Sequence, residues 1–421
     1  MARQSDVVVV GLGYVGLPLV VEAVRAGLTV VGLDQDQERV RSLNNGRSHI
    51  DDLSDDDVAA LVADGFSATA DPRAVADTRA VALCVPTPLD RSGAPDLSAV
   101  RAAAVSVSSY LTPGALVVLE STTYPGTTEE VIRPLLENGS GLVAGRDFHL
   151  AYSPERIDPG NKRFTLRTIP KVVAGLTPAC AEAAAVFYGK VCDQLVRAKG
   201  IREAEMAKLL ENTYRHVNIA LVNEMAVFCA ELGIDLWDAI EVASTKPFGF
   251  QAFHPGPGVG GHCIPIDPNY LSYKVRTLGY PFRFVELAQE INNRMPAYVA
   301  DRVQRLLNRH HQPVNGSKIL MLGVTYKPDI SDQRESPARS LAKRLLALGA
   351  DLSYHDPYVP SWKVDELRLE CVPDPVAAAR DADLVLLVQP HTVYDLDAIA
   401  ASAPLLFDTC GKLTGQRVER L

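Results

Sequence analysis

The hexapeptide Gly11-Leu12-Gly13-Tyr14-Val15-Gly16 restricts this chain more than any other stretch. It follows four consecutive valines, Val7–Val10, and opens a helical run from Leu17 to Ala26; a second apolar run, Thr29–Leu33, then ends in Asp34. Glycines in this register permit a tight turn, close approach of a pyrophosphate and packing of helix on strand. The first N–H groups of the helix have no intrahelical partner and suit phosphate oxygens. Asp34 is placed to accept ribose hydroxyls and to repel a 2′-phosphate, so the pattern predicts NAD rather than NADP. Tyr14, Val15 and Arg39 complete the expected cofactor contacts around Gly11, Gly13, Gly16 and Asp34.

The runs Val7–Val10, Thr29–Leu33, Ala80–Val85, Leu116–Leu119, His149–Tyr152 and Lys171–Ala174 alternate with helix-like segments. Strands alternating with helices predict an α/β fold with a covered parallel sheet. Between Gly200 and Gly233 there is no proline or interior glycine, and apolar residues recur at three and four, from Met206 through Leu209, Leu210, Val217 and Leu221 to Met225. That spacing predicts one helix of about 45 to 50 Å at ~1.5 Å per residue. After a Gly/Pro-rich loop, Lys246 to Pro268, the alternation resumes with Lys318–Leu322, Leu352–His355, Leu384–Val388 and Leu405–Asp408. Ser336-Pro337 reads as the cap and first turn of a helix that Gly349 closes. The expected division is a Rossmann domain over 1–199, a central helical domain over 200–310 and a second Rossmann-like domain over 311–421.

Composition narrows the class of function. The 421 residues carry a formal net charge of −9, which gives no attraction to nucleic acid or anionic membrane as a whole. Apolar runs such as Ala115–Leu119 fall far short of the roughly 20 residues that cross a bilayer, and the N-terminus has no h-region, so a cytoplasmic location is expected. Seven scattered cysteines lack any C-x-x-C spacing, which implies neither a disulfide framework nor a metal site.

Several polar residues stand where chemistry is expected. Thr87 and Thr122 lie just past strand ends, at the edge where a Rossmann sheet binds its ligand; ordinary turn chemistry explains them equally well. Lys208 and Asn212, four apart, share a face of the long helix, as ligand contacts or as a solvated polar face. Cys263, in Gly260-Gly261-His262-Cys263-Ile264-Pro265-Ile266-Asp267, differs from Cys84, Cys192 and Cys229, which sit in strand or helix runs and read as packing. A cysteine on a glycine-rich loop can approach a ligand, and a nearby cation favours its thiolate.

The segments GLGYVG, CVPTP, ESTTYPGTT, YSPERIDPG, AKLLENTYRHVNIALVNE, PGPGVGGHCIPIDPNYL and GVTYKPDISDQRES occur in this order over nearly the whole chain. The set resembles the UDP-glucose/GDP-mannose dehydrogenase family. The resemblance implies two Rossmann-like domains joined by the long helix, a homodimer across it, a UDP-sugar substrate and two hydride transfers to two molecules of NAD. It makes Cys263 the nucleophile, Lys208 and Asn212 stabilisers of the reacting oxygen, Glu155 an aid to water or proton transfer, and Asp267 a support for hydrolysis. Arg156 and Gly260 become substrate contacts; Lys327 matches a position near the substrate and Arg334 one near the cofactor, with a structural salt bridge as the alternative for both.

The chemistry gives these roles sense. A thiohemiacetal on Cys263 retains the aldehyde, yields a second hydride and becomes a thioester, which water then cleaves. The residues leave open which group removes the first proton. His262 before the cysteine, and the uncharged loop PFGFQAFHP upstream, resemble the branch acting on UDP-N-acetylhexosamines rather than UDP-glucose. The run IPIDPNYL is similar to UDP-N-acetylglucosamine dehydrogenases, with the N-acetylmannosamine enzymes the alternative. Two rivals stand beside this reading: a two-electron hydroxyacid dehydrogenase, which needs neither Cys263 nor a second α/β domain, and an NAD-binding protein without catalysis.

Overall fold

Valine-rich runs bounded by glycine and proline form the strands, because β-branched side chains pack well on both covered faces of a parallel sheet. The computed structural model describes residues 5–90, 93–158, 161 and 163–421. It separates into two compact units, Met1–Glu211 with Asn269–Tyr280 and Asn212–Pro268 with Pro281–Leu421.

The first unit holds an eight-stranded sheet of β1 (Val7–Val10), β2 (Val30–Leu33), β3 (Ser67–Thr69), β4 (Ala80–Leu83), β5 (Leu116–Leu119), β6 (His149–Tyr152), β7 (Lys171–Gly175) and β8 (Leu195–Arg197). Their spatial order is β3-β2-β1-β4-β5-β6-β7-β8. The chain reverses direction on either side of β1, which opens the ligand crevice at the carboxyl ends of β1 and β4. Val7, Val8 and Val9 have no exposed surface, and each such side chain contributes about 1.5 to 3 kcal/mol by burial. The helix after β1 is α1 (Gly16–Arg25).

One pairing departs from the expected parallel sheet: β7 runs antiparallel to β6, with Tyr152 opposite Ala174. A parallel neighbour needs a crossover, usually a helix. No helix occurs among the described residues between these strands, so the chain returns in the opposite direction. This reversal brings the start of β7 to the end of the sheet where β5 and β6 finish.

The long helix is α2 (Ile201–Leu232); its 32 residues give about 48 Å at ~1.5 Å per residue, as the sequence predicts. Helix α3 (Asp267–Thr277) follows the cysteine loop, and α4 (Arg283–Arg309) comes next. The second unit contains β9 (Lys318–Leu322), β10 (Asp351–His355), an antiparallel hairpin of β11 (Ser361–Val364) and β12 (Leu367–Glu370), then β13 (Leu384–Leu387), β14 (Leu406–Asp408) and β15 (Val418–Arg420). The five-stranded sheet is wholly parallel in the order β10-β9-β13-β14-β15, with its switch point between β9 and β13. Helix α5 (Pro337–Ala347) starts where sequence places it: Ser336 Oγ accepts the Ala338 N–H at 3.3 Å, and Gly349 follows at φ +85°. The fold is α/β, with two Rossmann-like sheets and a long helix in the chain between them.

Candidate active site

The dinucleotide turn in the first unit is shaped by contacts that only glycine allows. Gly11 adopts φ +90°, and a Cβ there would lie 2.7 Å from the Cys84 carbonyl oxygen. At Gly16 a Cβ would fall 1.9 Å from the Gly11 carbonyl oxygen, so this glycine lets α1 close onto β1. Above Gly13 there is open space, the room a pyrophosphate needs, and Val15 at the N-cap gives α1 no side-chain cap. The buried Asp34 accepts the Leu12 N–H at 2.9 Å, the Asp36 N–H at 3.0 Å and Arg39 Nη1 at 2.9 Å. Its carboxylate is thereby fixed at the end of β2 with its charge facing the turn. Tyr14 donates its hydroxyl to Asp51 at 3.2 Å. These groups fit a dinucleotide.

Thr87 and Thr122, both half-buried, occupy the loops after the adjacent strands β4 and β5. Ser121 ties these loops together, donating Oγ–H to the Val85 carbonyl at 2.6 Å.

After β6 comes the SPERI loop; the last residues of its motif, Pro159 and Gly160, lie outside the described residues. Glu155 is buried, and its Oε1 accepts the Arg156 and Ile157 N–H groups at 2.6 and 2.7 Å. Its Oε2 meets Lys171 Nζ at 2.9 Å, and the same ammonium meets Glu120 Oε2 at 2.7 Å. Burial alone would raise the Glu155 carboxyl, but the Lys171 charge and the two amides outweigh it and hold the group below its ordinary range. Burial dominates at Glu120, which is raised. Arg156 spans Glu211, at 2.7 Å, and the Pro170 carbonyl, at 2.8 Å.

Lys208 on α2 is 7% exposed, and among the described residues its ammonium has neither an ion pair nor a hydrogen bond. A buried cation without a protein counter-charge points to an anionic ligand. One turn earlier, Glu205 accepts the Gly126 and Thr128 N–H groups at 2.6 and 3.0 Å; burial pushes its carboxyl up to about 7.

In the second unit, Cys263 is exposed, whereas Cys84, Cys192 and Cys229 are buried as expected. The Asp267 and Ile266 N–H groups bond back to the Cys263 carbonyl at 2.8 and 3.3 Å, making a turn that leads into α3. Asn212 donates Nδ2–H to Asp267 Oδ2 at 2.5 Å, and both side chains are buried. Gly261, at φ +84°, donates its N–H to the Arg334 carbonyl at 3.1 Å. A Cβ on Gly260 or Gly261 would strike Tyr326, so the cysteine loop lies directly on the Tyr326–Glu335 segment. Within that segment Arg334 forks onto Asp332 at 2.5 to 3.0 Å, and the Thr325 hydroxyl donates to the Lys327 carbonyl at 2.8 Å. Beneath it lies a pair that the motifs do not reveal. Asp356 accepts His391 Nε2–H at 3.0 Å and the Val324 N–H at 2.7 Å, while His391 Nδ1 accepts the Asp329 N–H at 2.9 Å.

The residues that sequence reasoning missed are Glu120, Lys171, Glu205, Asp356 and His391. The available signal was a charge in or beside an apolar strand run, as in VVLE and KVVAG.

Comparison with known proteins agrees with this geometry. Residues 5–192 match the NAD binding domain of the UDP-glucose/GDP-mannose dehydrogenase family, 202–294 its central domain and 320–414 its UDP binding domain. A UDP-N-acetyl-D-glucosamine 6-dehydrogenase of Pseudomonas aeruginosa is 38% identical over 93% of this chain and 92% of its own length. A UDP-N-acetyl-D-mannosamine dehydrogenase of Methanococcus maripaludis is 34% identical over 96% of this chain and 92% of its own. The solved UDP-D-ManNAc dehydrogenase of Pyrococcus horikoshii superposes with a TM-score of 0.88 at 30% identity, covering 98% of each chain. No helix among the described residues is long and apolar enough to cross a membrane. The glycine turn with Asp34, the exposed cysteine and the paired Asn212 and Asp267 are thus borne by a chain that belongs to the UDP-glucose/GDP-mannose dehydrogenase family of NAD-dependent nucleotide-sugar oxidoreductases.

Proposed function

We propose that this enzyme oxidises the C6 hydroxyl of a UDP-N-acetylhexosamine, UDP-N-acetylglucosamine foremost, to the uronic acid, with Cys263 as the covalent nucleophile. The observation that carries the reading is the cysteine turn: an exposed thiol whose carbonyl receives the Asp267 N–H, with the Asp267 side chain held by Asn212. NAD, when bound along Gly11, Gly13, Tyr14, Val15, Gly16, Asp34 and Arg39, with Thr87, Thr122 and Arg334 as further contacts, supplies the hydride acceptor. The chain's own groups do the rest. Lys208 and the Asn212 amide stabilise the developing oxyanion. The Cys263 sulfur adds to the C6 carbonyl, holds the thiohemiacetal through the second oxidation and leaves as the thiol when water cleaves the thioester. Glu155 and Asp267 orient or deprotonate that water. Arg156, Gly260 and Lys327 contact the nucleotide sugar.

Support for the N-acetyl group comes from His262 and the uncharged upstream loop, and from relatives that act on UDP-N-acetyl sugars. The relatives that act on N-acetylmannosamine keep that epimer as the second reading. The experiment compares kcat/KM for UDP-N-acetylglucosamine, UDP-N-acetylmannosamine, UDP-glucose and GDP-mannose by formation of reduced cofactor. Preference for UDP-glucose or GDP-mannose refutes the N-acetyl assignment, and preference for the manno sugar selects the second reading.

The three-part division at 199 and 310, a cytoplasmic location and a homodimer across α2 belong to the same proposal. Supporting the dimer, Tyr214, Leu221 and Phe228 recur every seven residues on α2 and are 47, 53 and 46% exposed. Light scattering of wild type and Leu221→Glu tests it; a monomeric wild type removes it.

A further inference from the structure

Three adjacent strands bring together Glu155 and two charges that the proposed mechanism leaves unused. Glu120 directly follows β5, Glu155 lies in the loop after β6, and Lys171 opens β7, which the antiparallel reversal carries to the same end of the sheet. Lys171 is 3% exposed and Glu120 1%. The ammonium bridges Glu120 at 2.7 Å and Glu155 at 2.9 Å. On the far side, the Tyr188 hydroxyl donates to Glu120 Oε1 at 2.5 Å, and Lys171 Nζ lies 5.2 Å from the Tyr188 ring centroid.

We propose that Lys171 and Glu120 are positioning residues for the water chemistry assigned to Glu155: the ammonium fixes one oxygen of that carboxylate and balances its charge, and Glu120, tethered by Tyr188, fixes the ammonium. This rests on the role given to Glu155 in the proposed function. The two amides occupy Glu155 Oε1, and Lys171 takes one lone pair of Oε2, which leaves Oε2 one further lone pair for a water. A carboxylate held at three points presents that lone pair in a single direction.

The charge balance is informative. Two carboxylates share one cation, so a structural ion pair alone would have no use for the second anion, whose burial is costly. Its use is to hold Lys171 charged and in place, and the Lys171 ammonium is indeed stabilised by both carboxylates against burial. The remaining described titratable groups facing the cluster are Cys84, Cys192 and Tyr188; burial raises all three, so they stay neutral, and among the described residues Lys171 is the cation paired with Glu155. Removing it leaves two buried carboxylates facing each other, and such a pair resists double ionisation.

The test uses the full chain with NAD and the nucleotide sugar that the substrate screen selects. Lys171→Met should lower kcat by tenfold or more, a loss of ~1.4 kcal/mol or more of transition-state stabilisation, leave KM for NAD near wild type and move the acid limb of the kcat profile up by about one pH unit or more. Lys171→Arg should bring that limb back toward wild type. Infrared titration of the ligand-free protein, with the Glu155 band assigned by difference from Glu155→Gln, should show the same upward displacement without any turnover. A folded Lys171→Met enzyme with wild-type kcat and acid limb, beside a crippled Glu155→Gln, overturns the positioning proposal alone. A fully active Glu155→Gln instead removes the role of Glu155 itself. Should Lys171→Met not fold, Glu120→Gln decides, because it untethers the ammonium without orphaning it: reduced kcat supports the proposal and wild-type kcat overturns it.

Discussion

In the first unit the candidate groups are buried charges, whereas in the second the candidate nucleophile stands exposed on a turn built from backbone. Glu155 is locked between two amides and Lys171, and Lys208 sits buried with its charge uncompensated among the described residues. Cys263 is presented by glycines that press on Tyr326 and by N–H groups returning to its own carbonyl. The difference predicts two kinds of failure. Changes to the second unit's turn should remove a chemical step, while changes to the first unit's charges should slow steps or shift their pH dependence.

The largest effect tests the backbone-presented thiol. Cys263→Ala should abolish acid formation, since no other group can retain the aldehyde, whereas wild type should yield about two reduced cofactors per sugar consumed. Cys263→Ser offers a poorer nucleophile whose ester hydrolyses more slowly than a thioester, so intact-protein mass should reveal an adduct on serine and none on alanine. Near wild-type acid formation by Cys263→Ala would erase the contrast between the units.

Next come the groups that stabilise charge. Lys208→Met should reduce kcat by about a hundredfold, the scale of losing one preorganised donor at a developing oxyanion. Asp267→Asn removes a carboxylate while keeping the Asp267 N–H that bonds the Cys263 carbonyl. If Asp267 serves hydrolysis, this variant should accumulate acyl-enzyme and release the first reduced cofactor faster than the second in a rapid-mixing experiment. Equal slowing of both would place Asp267 in the oxidation steps instead.

The second unit also contains a buried ionic site, and it sharpens the comparison. Asp356 and His391 bond one another and the backbone amides of Val324, Tyr358 and Asp329. They read as a brace under the Tyr326–Glu335 segment. Asp356→Ala should therefore cost about 3 kcal/mol of stability, as broken buried pairs do, with kcat of the folded enzyme little changed. Burial raises the Asp356 carboxyl, but the His391 hydrogen bond and charge and the amides of Val324 and Tyr358 outweigh it and hold the group below its ordinary range. A depressed carboxylate stabilises at neutral pH and loses that contribution as pH falls through the folded value. Thermal melts should thus fall more steeply with acid in wild type than in Asp356→Ala.

The sequence made the glycine turn, the long helix and the cysteine loop legible because each is a local pattern: spacing, period and glycine content need no knowledge of the third dimension. The Lys171 cluster was not legible for the opposite reason. Glu120 and Glu155 lie 51 and 16 residues from Lys171 along the chain, and the three converge through a strand reversal that no local period encodes. His391 and Asp356 meet in the same way from separate strand ends. Lys208 stood between the two cases: its helix face was readable, its burial without a counter-charge among the described residues was not.

The smallest predicted effect concerns Asp34, where a first-unit carboxylate also organises backbone. Asp34 receives the Leu12 N–H from within the glycine turn and the Arg39 guanidinium from the helix after β2. Asp34→Ala removes the acceptor for ribose hydroxyls and leaves Arg39 only its longer, 3.8 Å pair with Asp36, so the local charge moves one unit toward positive. NAD should bind more weakly, while a 2′-phosphate would now meet a cation instead of an anion. A charge-assisted hydrogen bond is stronger than a neutral one by a factor of roughly two, so the NAD preference over NADP should narrow by about tenfold, read as the ratio of kcat/KM values. The double variant Asp34→Ala with Arg39→Ala separates the two causes. If Arg39 supplies the gain, the double variant loses NADP activity again while NAD stays weak; if Asp34 acts by repulsion alone, the second substitution changes nothing. Equal use of both cofactors by wild type would end the argument at its start, because the carboxylate would then discriminate against neither.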